Sequence, residues 1–219
     1  MQHKLVIINR AVPGSGKTTY SKKIVSHFTN KHIQVAVHST DDYFLTADGR
    51  YNFDVQQLFT YHQQNLNQFK QSILQAIPVI ICDNTNLLPW ETEPYTAIAR
   101  EYAYSVLCLN FEPRDIELHV KAQVVTDEKP DAHQVPRAFL EQMIQSFNTY
   151  NALLDKETVP NPSFHNNYKW DLAANKKVID SSKPAKHFDI DWVISIKPNE
   201  YRTVLQTIGE ISENYLDKT

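Results

Sequence analysis

The sequence predicts an α/β fold, a mainly parallel sheet between two helical layers, and three observations lead to it. Short apolar, β-branched runs recur at residues 5–9, 33–38, 79–82 and 105–111, each the length of a buried strand. Between them stand segments whose apolar residues step by three and four, the period of an amphipathic helix. Strands that alternate with helices return to the sheet by crossover, which makes neighbouring strands parallel.

Taken in order, residues 5–9 form strand one, 11–16 a loop, and Lys17 to about Phe28 a helix. Residues 33–38 form strand two and end at Ser39-Thr40-Asp41-Asp42; residues 46–51, with Asp48-Gly49, read as a turn. Val55, Leu58, Phe59, His62, Leu66, Phe69, Ile73 and Ile77 share one face of a long helix that Pro78 ends. Strand three, 79–82, stops at Asp83. Residues 89 to about 102 are helical, and 105–111 form strand four. Pro113 suits the first position of a helix reaching about Gln123. Residues 124–134 are polar and read as mobile, and Phe139, Met143, Phe147, Tyr150 and Leu154 mark a further helix.

Composition shifts after Asp155, which divides the chain into a core domain, 1–155, and a C-terminal extension, 156–219, of unknown role packing on it. Residues 159–187 read as an irregular connection with Trp170 as an isolated anchor. Ile190, Trp192, Ile194 and Ile196 alternate as in a strand; Tyr201, Val204, Leu205, Ile208 and Ile211 suggest a closing helix.

Composition narrows the function classes. The 219 residues are 42% hydrophobic and 21% charged, which excludes a disordered chain, and the longest apolar runs fall far short of the roughly 20 residues of a membrane span. The apolar run of residues 5–8 is too short for a secretory leader. A formal charge of -3 gives no global attraction to nucleic acid, so a polyanion needs a local groove. Cys82 and Cys108 lie in apolar runs and read as buried free thiols, which suits a reducing, cytoplasmic setting. The nine histidines show no metal-ligand spacing and read as surface or half-buried. Phe59, Tyr61, Phe69, Phe139, Phe147 and Tyr150 read as core and not as base-stacking platforms, Trp90 as packing in preference to stacking on an acceptor base, and Lys176-Lys177 as a solvated loop. Oligomeric state is left open.

Only four glycines occur, and Gly14 and Gly16 fall in one stretch, Ala11-Val12-Pro13-Gly14-Ser15-Gly16-Lys17-Thr18. This fits the Walker A pattern of P-loop NTPases, with Ala11 in place of the first glycine. Residues Pro13-Gly14-Ser15-Gly16-Lys17-Thr18-Thr19 would surround the phosphates of ATP at a helix N-terminus, those after the proline turning their backbone N–H groups inward. Lys17 would reach the β- and γ-phosphates, and the Thr18 hydroxyl would ligate Mg²⁺. Ligands of open parallel sheets bind beyond the strand C-termini, where Asp41, Asp42 and Asp83 stand. Asp83 has the Walker B form and is a metal-ligand candidate. Asp41 is the candidate base for an acceptor hydroxyl, and Asp42 beside it a candidate substrate contact.

Arg10 to Thr19, Ser39-Thr40-Asp41-Asp42-Tyr43-Phe44, Asp48-Gly49, Tyr51-Asn52-Phe53, and Ile81-Cys82-Asp83-Asn84-Thr85-Asn86 with Trp90-Glu91 form one set. The set resembles polynucleotide 5′-kinases of the bacteriophage type. It is closer to the kinase domain of certain eukaryotic ubiquitin-ligase-binding proteins, over about residues 4–150. The resemblance implies a five-stranded sheet of order 2-3-1-4-5 and transfer of the ATP γ-phosphate to the 5′-hydroxyl end of a nucleic acid. It puts the base on Asp41 and substrate or metal contacts on Asp83, Asn84 and Asn86. Two departures stand out. The arginine-rich lid of the family is represented here by Lys121 and Lys129, with Arg114 and Arg137 nearby, so Lys121 is the candidate transition-state cation. The bacteriophage type also has an arginine soon after the paired acids; Phe44 and Leu45 occupy that stretch here. A kinase of a small metabolite or nucleotide sugar, and a non-catalytic ATP-binding switch, are the alternative functions.

Overall fold

The computed structural model describes residues 4–156, 168–171, 176–179, 187–198 and 206–211. The described elements are β1 (Leu5–Arg10), α1 (Lys17–Asn30), β2 (Val35–His38), a 3₁₀ turn (Thr40–Phe44), α2 (Leu58–Leu74), β3 (Val79–Cys82), α3 (Pro89–Glu101), β4 (Ser105–Phe111), α4 (Ile116–Ala122), α5 (Arg137–Asn151), β5 (Tyr168–Asp171), β6 (Lys176–Ile179) and β7 (Trp192–Ile196). Residues 206–211 are helical.

Five strands form one sheet in the order β2-β3-β1-β4-β7, every pair parallel. With β7 as the fifth strand this is the 2-3-1-4-5 order. Alternate side chains of β1 leave opposite faces and seed two cores. Val6 and Ile8 pack with Phe69 and Ile73 of α2 and with Tyr95 and Ala99 of α3. Leu5 and Ile7 pack with Ile24 and Phe28 of α1 and with Ile208 and Ile211. Three layers result, with the sheet as the shared centre.

The fifth strand lies beyond residue 155, so the segment read as an extension supplies an edge of the central sheet. Arg100 of α3 bonds Asp189 at 3.1 Å and Asp191 at 2.6 Å. Asp191 in turn accepts from the Val106 N–H at 2.7 Å, which seats the start of β7 against β4. Within the stretch read as irregular, β5 and β6 pair as antiparallel strands, and Lys176 and Lys177 belong to β6. Most of the predicted closing helix, Tyr201, Val204 and Leu205 included, lies outside the described residues.

Several boundaries move. The helix predicted through Ile77 ends at Leu74, because Ala76 takes a left-handed conformation (φ 57°) that turns the chain toward β3. Pro113 precedes α4 rather than opening it; Asp115 caps that helix by accepting from the Glu117 N–H. Phe139, read as core, is 60% exposed on the outer face of α5, whereas Phe69 and Phe147 are buried.

Candidate active site

The loop between β1 and α1 is held open by backbone geometry. Gly14 and Gly16 both have positive φ, 83° and 89°, a region that side chains disfavour. Gly16 is the N-cap of α1 and no side chain caps that end, nor does an acid lie in the first turn, so the positive helix terminus is uncompensated. The loop is braced from behind. Arg114 donates to the Gly14 carbonyl, and His119 Nδ1 lies 2.8 Å from the Pro13 carbonyl. Because a trans peptide sets C=O and N–H on opposite sides, the carbonyl of Pro13 held to the rear turns the Gly14 N–H forward. Ser15 Oγ is buried with no hydrogen-bond partner, an orphan that a phosphate oxygen would satisfy.

His119 corrects its reading as a surface or half-buried histidine: it is fully buried. Its Nε2 accepts from the Arg114 N–H at 3.0 Å, so Nδ1 carries the proton given to Pro13. Burial lowers its pKa and keeps the ring neutral.

Three predicted side chains converge in front of the loop. Lys17 Nζ lies 3.8 Å from Asp41 Oδ2 and 3.9 Å from Asp83 Oδ1, with Lys17 and Asp83 both buried. Asp83 sits where β3 ends, its N–H bonded to the His38 carbonyl of β2. Sequence reasoning missed its partner: Asn9 of β1, fully buried, donates to Asp83 Oδ1 at 2.7 Å and lies 2.8 Å from Ser21 Oγ.

Asp41 stands in the 3₁₀ turn after β2. Its Oδ1 accepts from the Tyr51 hydroxyl at 3.1 Å, and its Oδ2 lies 3.8 Å from His133 Nδ1. The His133 ring stacks on Tyr51 with centroids 4.1 Å apart. The segment read as mobile is thus anchored at this end, with Ala132 buried and Thr126 bridged to Lys129. Desolvation lowers His133, and it raises Tyr51 together with the Asp41 charge. Asp42 is exposed at its neighbour's side; desolvation and the charges of Asp41 and Asp83 raise its carboxyl.

The remaining predicted residues are placed as follows around this group. Thr18 and Thr19 are exposed in the first turn of α1. Asn84 accepts from the Thr40 N–H at 2.8 Å and donates to the Tyr95 hydroxyl, and Asn86, left-handed at φ 49°, donates to the Asn9 carbonyl. Both amides therefore brace the strand tips. Lys121 is exposed on α4. Arg137 is paired with Glu117 and Glu141, and Arg114 holds the loop, so the arginines near the lid serve the framework. Beside Asn84 and Asn86, between α2 and α3, lies a cavity of about 230 Å³.

A family described as AAA domain matches residues 6–150, two thirds of the chain and every element from β1 to α5. The chain belongs to this family. The chain is 37% identical over 103 residues to human NEDD4-binding protein 2, a match covering 47% of this chain and 6% of that protein's length. Among solved structures, a Chloroflexus aurantiacus protein superposes with a TM-score of 0.57 at 12% identity, covering 99% of this chain and 100% of that one. Chaetomium thermophilum Kti12 in complex with ADP-AlF3 gives 0.52 at 12% identity, covering 95% and 97%. These likenesses show the fold, the three-layer α/β/α arrangement of P-loop NTPases. No helix among the described residues is long and apolar enough to cross a membrane, and Cys82 and Cys108 are buried free thiols.

Proposed function

We propose that this chain transfers the γ-phosphate of ATP to a hydroxyl acceptor, the 5′-hydroxyl of a polynucleotide being the best-supported one. The carrying observation is the convergence of Lys17 on Asp41 and Asp83, 3.8 and 3.9 Å away, in front of an uncapped helix N-terminus. Lysine at that point meets the β/γ-phosphates, and an acid opposite it meets an incoming alcohol. The acceptor oxygen bonds to the γ-phosphorus, the bond to the bridging oxygen breaks, ADP leaves, and the hydroxyl proton passes to Asp41.

Thr18 and Asp83 are the residues that would hold Mg²⁺, which when bound neutralises charge on the phosphates. No cluster of three acidic, histidine or cysteine side chains fit for a metal occurs among the described residues. That pattern suits a cation held mainly by phosphates and water. The Kti12 complex with ADP-AlF3 supports the nucleotide part of the reading.

The test supplies γ-labelled ATP, Mg²⁺ and 5′-hydroxyl RNA or DNA oligonucleotides to the folded chain. End-labelled product that vanishes with EDTA is expected; no label on any acceptor sinks the proposal. A small-molecule acceptor is the second reading, favoured by the engagement of the arginines near the lid, Arg114 and Arg137, in framework contacts. Salt separates the two, because polyanion binding weakens steeply with ionic strength and binding of a neutral acceptor does not.

A further inference from the structure

We infer that the cavity between α2 and α3 holds the heterocyclic base of the acceptor's terminal nucleoside. This rests on the phosphotransfer reading and adds a base-recognition subsite to it. Phe59 of α2 and Trp90 of α3 contribute aromatic walls, and Tyr95 contributes a third aromatic side chain. Rings of this kind take up an unstacked base through its π-face.

Three further observations support a base as occupant. No lysine or arginine lines the cavity, and Glu91 does, so its chemistry repels phosphate and suits an uncharged group. Its volume of about 230 Å³ lies below the roughly 300–1,000 Å³ of pockets for larger ligands and suits one planar ring system. Gln63 adds an exposed carboxamide, a donor and an acceptor for a base edge.

The cavity is also joined to the chemistry. Asn84 in its lining accepts from the Thr40 N–H at 2.8 Å, and His62 Nδ1 lies 3.1 Å from Thr40 Oγ1. Thr40 directly precedes Asp41. A nucleoside with its 5′-hydroxyl at Asp41 therefore has this cavity as the adjoining space for its base.

The experiment compares two 5′-hydroxyl oligonucleotides that differ only in carrying or lacking the terminal base. The expected result is kcat/KM lower by about tenfold or more for the abasic acceptor. Phe59→Ala should erase that preference, bringing kcat/KM on the base-bearing acceptor down to that on the abasic one. Equal kcat/KM on both acceptors in the native chain overturns the subsite and leaves phosphotransfer standing. Equal losses on both acceptors in Phe59→Ala do the same. Should Phe59→Ala melt early, Gln63→Ala takes its place, since Gln63 is exposed.

If no acceptor is phosphorylated, the phosphotransfer reading fails and binding decides the subsite separately. Uridine is titrated with the phosphate loop filled by a non-hydrolysable ATP analogue while tryptophan emission is followed. Saturable quenching that Trp90→Phe removes supports the base site; unchanged emission overturns it.

Discussion

Asp41 and its surroundings come from four parts of the chain. The acid stands in the 3₁₀ turn after β2, Lys17 comes from the phosphate loop, Tyr51 from the turn after the 3₁₀ segment, and His133 from the stretch before α5. Asp41→Asn keeps the shape and removes the base, so transfer should fall about 10²–10⁴-fold while ATP affinity stays within a few-fold, read by labelled transfer and calorimetry. His38 offers a test by pH. Burial lowers its pKa from 6.5 to about 4, with its Nε2 2.9 Å from Ser72 Oγ. The unfolded chain then binds the extra proton first, so the stability from neutral His38 is present above about pH 6.5 and is lost as pH falls toward about 4. Urea midpoints at pH 7.5 and 5 should show this loss, about 1–3 kcal/mol by pH 4, and His38→Gln should flatten the slope. Asp41, Asp83 and Lys17 were legible as residue types at strand and loop ends. Tyr51, His133 and Asn9 were not, since no spacing signals a stack, or a buried amide on a neighbouring strand.

At the scale of elements, α4 is the backing plate of the phosphate loop. A Cβ on Gly14 would lie 2.9 Å from the Ala122 Cβ and 3.2 Å from Gln123 Nε2, whereas one on Gly16 would meet nothing within 4 Å. Both positions have positive φ, so an alanine at either costs about 1 kcal/mol in backbone strain. Gly14→Ala adds a collision with α4. Its melting temperature should therefore fall further than that of Gly16→Ala, by several degrees, as calorimetry would read. Equal losses would mean that the packing against Ala122 is unimportant. The motif spacing made the loop legible, but not its bracing by Arg114 and His119, because those residues lie a hundred positions away.

The whole molecule is tied together by Arg10 and by the late fifth strand. Arg10 is fully buried at the end of β1, and burial lowers its pKa to about 10, which leaves it charged at neutral pH. It bonds the Leu87 and Phe147 carbonyls and Asn110 Oδ1, and its guanidinium lies 4.0 Å over the Phe147 ring. Arg10→Met strands those acceptors and should lower stability by about 3 kcal/mol, roughly 6–12 °C in Tm. A chain ended at residue 155 loses β7 and the buried Phe188, Ile190, Ile196, Ile208 and Ile211. It also exposes the edge of β4, and it should aggregate or melt without cooperativity, checked by gel filtration and calorimetry. A sharp native-like melt would instead mark 1–155 as an independent domain.

The order of strands and helices, the phosphate loop and the acids at strand ends follow from sequence alone, because apolar period and glycine placement act over a few residues at a time. Which distant side chains hold Asp41 and Asp83, what lies behind the loop, and that the sheet takes its last strand from beyond residue 155 were decided only by tertiary structure. Such contacts depend on how crossover helices bring distant parts of the chain together, and nothing in a local pattern encodes that distance.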